Sequence, residues 1–194
     1  IFALHKKTIL MIKNIGVFCA SGNQINHQYF DEAAILGDWI GKTGRTLVYG
    51  GANVGLMEKT AQHVKKHEGK IIGIITYKIC TLGKKSSLPD QQIVVNDLSE
   101  RKQKMIDLAD IFIALPGGFG TLDEIFTVIA SAQLEYHQKH IIFCNTNGFY
   151  NSLFNQIEIF YKQRFASEKY LNNYTVANNI SECITIIENI ESKQ

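Results

Sequence analysis

A single-domain, doubly wound α/β fold, with one parallel sheet and helices on both faces, is what the order of hydrophobic patterns in this chain predicts. Short β-rich apolar runs alternate with longer stretches of helical periodicity. The runs are apolar at nearly every position, as in strands covered on both sides. Strand, helix, strand order demands parallel pairing through right-handed crossovers, the Rossmann-like arrangement.

Taken in order, Ile15 to Ala20 reads as a buried strand closed by Ser21-Gly22-Asn23. Residues 27–42 carry Phe30, Ala33, Ala34, Leu36, Trp39 and Ile40 at helical spacing. Thr46 to Tyr49 is a strand broken by Gly50-Gly51, residues 54–67 a helix, and Ile71 to Thr76 a third strand. Residues 77–92 lack periodicity and contain Gly83 and Pro89, so a mobile loop is expected. Ile93 to Val95 is a brief strand, and residues 97–109 form a helix that Asp97 or Ser99 can cap. Ile111 to Leu115 is the clearest strand, ended by a Gly-rich turn, and residues 122–136 make a long amphipathic helix. Ile141 to Asn145 is the next strand, followed by helices over 149–163 and 180–190.

Composition narrows the function. The chain has 194 residues, 45% hydrophobic and 20% charged, which suits one globular domain. Lys plus Arg number 20 and Asp plus Glu 18; a net charge of +2 argues against a nucleic-acid binder. No apolar run is long enough to span a membrane. The first residues, IFALHKKTIL, offer too short an apolar core for a signal peptide, and Met11 opens a natural strand entry. Residues 1–10 are therefore expected to lie outside the native fold, with a single domain over 11–194. Cys19, Cys80, Cys144 and Cys183 show no C-x-x-C spacing and sit in or beside apolar runs, as small buried residues do in a reducing, cytoplasmic compartment.

Three Gly-rich turns fall at strand carboxyl ends, where ligands bind in this fold class: Ser21-Gly22, Gly50-Gly51 and Gly117 to Gly120. The strongest signal is Pro116-Gly117-Gly118-Phe119-Gly120-Thr121-Leu122-Asp123-Glu124. Its glycines let backbone approach a ligand, and the following helix start, placed at about Thr121, offers free N–H groups to an anion. Thr121 with Glu124 also fits a capping box, which would explain both residues without a ligand. Carboxylates at Asp123 and Glu124 repel a phosphate unless cations offset them or they face a sugar. Arg101 and Lys102 supply the cations, set unfavourably at a helix N-terminus, which favours a ligand role; a solvated charged face, the usual reading of a charge run, also accounts for them. The loop YGGANVGLM at 49–57 either cradles a nucleotide or makes a tight turn. Gly41-Lys42-Thr43 lacks P-loop spacing and ends a helix. His63 and His67, four apart but beside Lys65 and Lys66, read as an exposed face, so no metal site is expected.

YGGANVGLM at 49–57, ERK at 100–102 and PGGFGTLDE at 116–124 together resemble the LONELY GUY family of cytokinin riboside 5′-monophosphate phosphoribohydrolases, long labelled a possible lysine decarboxylase. The segment AQLEYHQKHIIFCNTNGFYNSLFNQI matches the family's helix-strand-helix pattern, and the resemblance runs from about Ile15 to Phe165. It implies hydrolysis of the N-glycosidic bond of a nucleoside 5′-monophosphate to an adenine-type base and ribose 5-phosphate, without a cofactor. It implies Glu124 and Arg101 as catalytic residues. The implied substrate contacts are Ser21, Gly22, Gly50, Gly51, Lys102, Gly117, Gly118, Phe119, Gly120, Thr121 and Asp123. It further implies a homodimer or larger homo-oligomer, with apolar positions on more than one face of helices 97–109 (Met105, Ile106, Leu108) and 122–136 (Ile125, Phe126, Val128, Ile129) available for it.

The chain departs from the family pattern at Ala52, where a third glycine is usual, at Glu58, an added anion beside the loop, and at Ser99, often histidine. Ala52 is tolerable if its φ is negative. A carrier of a nucleotide or of molybdenum cofactor on the same fold is the alternative. A pyridoxal-dependent decarboxylase fits least, because no lysine is singled out for a Schiff base.

Overall fold

The computed structural model describes residues 12–193. The expected segment 1–10 lies outside them. In order, the described residues form β1 (Asn14–Phe18), α1 (His27–Lys42), β2 (Thr46–Tyr49), α2 (Gly55–Lys66), β3 (Lys70–Thr76), α3 (Tyr77–Thr81), β4 (Gln91–Val95) and α4 (Leu98–Leu108). Then follow β5 (Ile111–Ala114), α5 (Phe119–Gln133), β6 (Ile141–Cys144), α6 (Asn151–Lys162), β7 (Tyr174–Ala177) and α7 (Ile180–Lys193), with short 3-10 turns at Thr146–Gly148 and Glu168–Asn173.

All strand pairs are parallel, in one seven-stranded sheet of order β4-β3-β2-β1-β5-β6-β7. Strand alternation sorts side chains into two cores. Ile15, Val17, Leu47, Ile113 and Ile142 pack with α1, α2 and α7 on one face. Phe18, Val48, Phe112, Ala114 and Phe143 pack with α4, α5 and α6 on the other. Successive strands run outward from β1 on one side and outward from β5 on the other. The order therefore reverses between β1 and β5, where a crevice opens beyond the strand ends.

Several boundaries depart from the sequence reading. The stretch expected to be a mobile loop contains α3, started by Thr76 Oγ1 accepting from Ile79 N at 3.3 Å. The rest of it is pinned to the loop after β2: Ser86 N donates to Gly51 O at 2.9 Å and Asn53 N to Lys84 O at 2.9 Å. β7 escaped detection because YTVA is short and lies half-exposed at the sheet edge. Asp97 does cap α4, accepting from Glu100 N at 2.9 Å.

α5 begins at Phe119 rather than at Thr121, with Gly118 as its N-cap and no side-chain cap. Thr121 and Glu124 therefore make no capping box. His63 and His67 are not on an open face either. Both half-buried rings meet Asp38 Oδ1 of α1, at 2.9 and 3.0 Å. Cys19, Cys144 and Cys183 are buried, while Cys80 is half-buried on α3. Of the apolar positions on α4 and α5, Met105, Ile106, Ile125, Val128 and Ile129 form the face that packs on the sheet, buried in the second core. No helix among the described residues is long and apolar enough to cross a membrane.

Candidate active site

Two loops meet at the switch point because the sheet continues into them. Leu115 N donates to Phe18 O at 2.9 Å and Ala20 N to Pro116 O at 3.1 Å, which holds the turn after β1 beside the turn after β5. Between them and the loop after β2 opens a cleft of about 240 Å3. Ser21, Gly50, Arg101, Gly118, Phe119, Gly120, Thr121 and Glu124 line it, all foreseen. Val17, Cys19, Ala20, Ala52, Met57 and Ile79 line it as well. Cys19, Ala20 and Met57 adjoin recognised motifs; Ile79 comes from α3, inside a segment with no sequence signal.

Gly22, Gly51, Gly117, Lys102 and Asp123 do not line the cleft. A side chain at Gly117 would collide with Thr121, so that glycine serves the packing of the turn. Gly51, at φ +68°, turns its α-carbon toward Gln92 and away from the cleft. Ala52 is absent from the positive-φ positions, as its tolerance required. Glu58 accepts from Ser86 Oγ at 2.7 Å, so this anion ties down the neighbouring loop instead of facing the cleft.

The two helix N-termini near the cleft differ. At α2, Gly55 N donates to Asn23 Oδ1 at 2.8 Å and Leu56 N to Ala20 O at 3.0 Å, so protein oxygens occupy it. At α5, the N–H groups of Phe119, Gly120 and Thr121 have no carbonyl four residues back within the helix. A side-chain carbon placed at Gly118 or Gly120 would meet only open space. An anion entering the cleft therefore meets free donors and the positive dipole end at α5.

Arg101 and Glu124 face each other across the cleft floor, Nη1 to Oε1 at 2.9 Å, with side chains only 12% and 9% exposed. Arg101 Nε also donates to Ile74 O of β3 at 3.0 Å. The guanidinium lies so close to Gly50 that a side chain there would force the arginine end to move. Burial pushes the Glu124 carboxyl up to about 7; Arg101 opposes that rise, Asp123 adds to it, and Lys102 opposes it. A carboxyl that exchanges its proton near neutrality beside a fixed guanidinium can serve as a base or steady a developing cation. Burial likewise pushes the Cys19 thiol up, so it faces the cleft as a neutral group.

Fold and cleft define a doubly wound α/β protein whose switch-point cleft carries a carboxylate, a guanidinium and the N-terminus of α5. A family model described as "possible lysine decarboxylase" matches residues 57–187. Cytokinin riboside 5′-monophosphate phosphoribohydrolase LOG5 of Arabidopsis thaliana is 35% identical over 176 residues, covering 91% of this chain and 77% of that protein. LOG7 of the same plant is 34% identical over 186 residues, covering 96% and 86%. Among solved structures, the molybdenum cofactor binding protein from Rippkaea orientalis superposes with a TM-score of 0.72 at 28% identity, covering 93% of this chain and 98% of that one. A Moco carrier protein from Chlamydomonas reinhardtii shares the fold, with a TM-score of 0.70 at 20% identity and coverage of 94% and 99%. The chain belongs to the LOG family.

Proposed function

We propose that the protein hydrolyses the N-glycosidic bond of an adenosine 5′-monophosphate, plain or N6-modified, releasing an adenine-type base and ribose 5-phosphate. The observation that carries this reading is the buried Arg101–Glu124 pair, set in one cleft with the free N–H groups of α5. Phosphate is held at Gly118, Phe119, Gly120 and Thr121, with Ser21 opposite. When the C1′–N bond breaks, its electron pair leaves with the base and positive charge develops on the ribose. The Glu124 carboxylate stabilises that charge and accepts a proton from the water that adds to C1′; the departing base takes up a proton from solvent and Glu124 gives its own back to solvent, so that neutral base and ribose 5-phosphate result. Arg101 orients Glu124 and offsets the burial that would otherwise keep it protonated. The apolar wall of Val17, Ala52, Met57 and Ile79 supports a hydrophobic base. The residues lining the cleft include no lysine, so a pyridoxal Schiff base has no anchor in it.

The test is chromatography of products from AMP and from isopentenyladenosine monophosphate. Free base supports the reading and ranks the substrates. Nucleotide binding without base release would replace it by a non-catalytic binding protein; the 28%-identical Rippkaea orientalis protein is named a molybdenum cofactor binding protein.

Because the Glu124 carboxyl titrates at about 7, the carboxylate is lost as pH falls through that value. The kcat/KM profile, which reports the free enzyme, is expected to carry an acid limb near neutrality and to drop about tenfold one pH unit below it. Activity flat down to pH 5 would remove the ionised carboxylate from the mechanism.

The reading includes self-association. Phe126, Ile129, Ile157, Phe160, Phe165 and Tyr174 line a groove between α5, α6 and the segment before β7. Phe165 there is 79% exposed. A second copy covering this face accounts for that exposure. Light scattering is expected to give twice the chain mass or more, and Phe165→Glu to shift it toward the monomer.

A further inference from the structure

Tyr150 is among the largest fully buried side chains of the protein, yet it carries a hydroxyl and does not line the cleft. It stands just before α6, and its hydroxyl donates to Leu115 O at 2.7 Å. Leu115 is the last residue before the Pro116-Gly117-Gly118 turn that starts α5. The neighbouring ladder shows what that bond replaces. β1 and β5 pair with Phe18 opposite Ala114, and Leu115 N donates to Phe18 O at 2.9 Å. In a parallel ladder continued in that register, Ala20 N would donate to Leu115 O. It donates instead to Pro116 O, at 3.1 Å, one residue further on. The Leu115 carbonyl has thus left β1, and the Tyr150 hydroxyl stands in for its strand partner. Proline has no N–H and keeps the residue before it extended, so the plane of the Leu115 carbonyl sets the direction in which the turn departs.

We infer that Tyr150 is a positioning residue for the phosphate: its hydroxyl fixes the Leu115 carbonyl, and through it the Pro116-Gly117-Gly118 turn, so that the free N–H groups of Phe119, Gly120 and Thr121 open onto the cleft. This rests on the placement of phosphate proposed above. Two adjacent glycines leave a turn many paths, and a tether from outside the turn removes all but one. The tyrosine is itself firmly held. Tyr150 N donates to Asn145 Oδ1 at 2.7 Å, and Asn145 N donates to Ala177 O at 2.7 Å, so β6 and β7 anchor it. Phe143 and Phe149 meet its ring edge-on, at centroid distances of 5.2 and 4.9 Å. Burial pushes the phenol well up from its ordinary value, so it stays a donor throughout the working pH range.

Tyr150→Phe keeps the ring and its packing and removes only the donor, leaving the Leu115 carbonyl without its partner. KM for AMP is expected to rise about tenfold with kcat within about twofold, because a held phosphate contributes equally to substrate and transition state. The backbone amide resonances of Gly117 to Thr121 are expected to move in the ligand-free protein. Thr175→Val is the comparison variant. It removes the 2.7 Å contact with His140 Nε2 beside the start of β6, and is expected to lower the melting temperature while KM and those amides stay put. If Tyr150→Phe melts lower with KM and amides both unmoved, the bond is purely structural and the inference falls. A loss of about tenfold in kcat at unchanged KM would tie the hydroxyl to the reacting groups and overturn it equally. Moved amides with an unmoved KM would mean that the turn does not hold the phosphate, which overturns it too. Should Tyr150→Phe not fold, Asn145→Ala frees the Tyr150 N–H and leaves the hydroxyl. It is expected to raise KM about threefold, with Asn145→Asp near wild type; an unmoved KM there counts against the inference. If the wild-type chain releases no base, the hydrolase reading fails by itself, and the Kd of AMP from calorimetry takes the place of KM. The amide shifts need no ligand, and their absence refutes the inference in either case.

Discussion

Glu124→Gln is expected to lower base release by roughly 10³-fold or more while leaving nucleotide binding and the fold in place. The amide is isosteric with the carboxyl and can still accept from Arg101 Nη1, so the geometry of the pair survives. What is lost is the negative charge that the ribose cation needs and the site that accepts the proton from water. Stability separates this effect from misfolding. A carboxyl whose folded-state titration is raised stabilises the protein at low pH, and that contribution is lost as pH rises through about 7. At pH 8 the wild-type chain therefore holds a buried carboxylate at a cost that glutamine avoids. The melting temperature of the variant at pH 8 is expected to equal or exceed that of the wild type, as at sites where function opposes stability. Turnover at the wild-type rate would take Glu124 out of the chemistry, whereas lost activity with a lowered melting temperature would attribute the defect to folding.

Much of this site is visible in the sequence because it depends on local signals. Buried parallel strands are nearly all apolar, so Ile111 to Leu115 and Ile15 to Ala20 announce themselves, and ligand-bearing turns must follow their carboxyl ends. Features carried by distant partners are not visible. Nothing local shows that Lys102 pairs with Asp123 outside the cleft, 21 residues on, or that Asp38 gathers His63 and His67 from a different helix. The Thr121–Glu124 spacing is a sound capping signature, but Arg101 claims the Glu124 carboxylate and α5 starts two residues earlier. Ile79 enters the cleft from a five-residue helix, too short to leave a periodic trace.

Gly50→Ala is the second substitution with a large expected effect, and the reason lies in Arg101. Gly50 is not among the glycines of positive φ, so alanine is conformationally acceptable there. Its added methyl, however, would overlap Arg101 Nη2 and stand 3.0 Å from Met57 Sδ. The guanidinium has little room to retreat, since Nε is bonded to the Ile74 carbonyl and Nη1 faces Glu124. The cheapest relief is for the arginine end to swing out of the cleft, which separates it from the carboxylate. A displacement of about 1 Å at a reacting centre is enough for roughly 10²-fold, and kcat/KM is expected to fall by that order. A double-mutant cycle isolates the cause: in an Arg101→Met background the Gly50→Ala change is expected to add little, because the group it displaces is already gone. Full additivity would mean that the glycine serves the ligand directly, and an active single variant would mean that the position of Arg101 is not used in turnover. A glycine that reads in the sequence as part of a nucleotide cradle is, on this geometry, the space in which the Arg101 guanidinium is held.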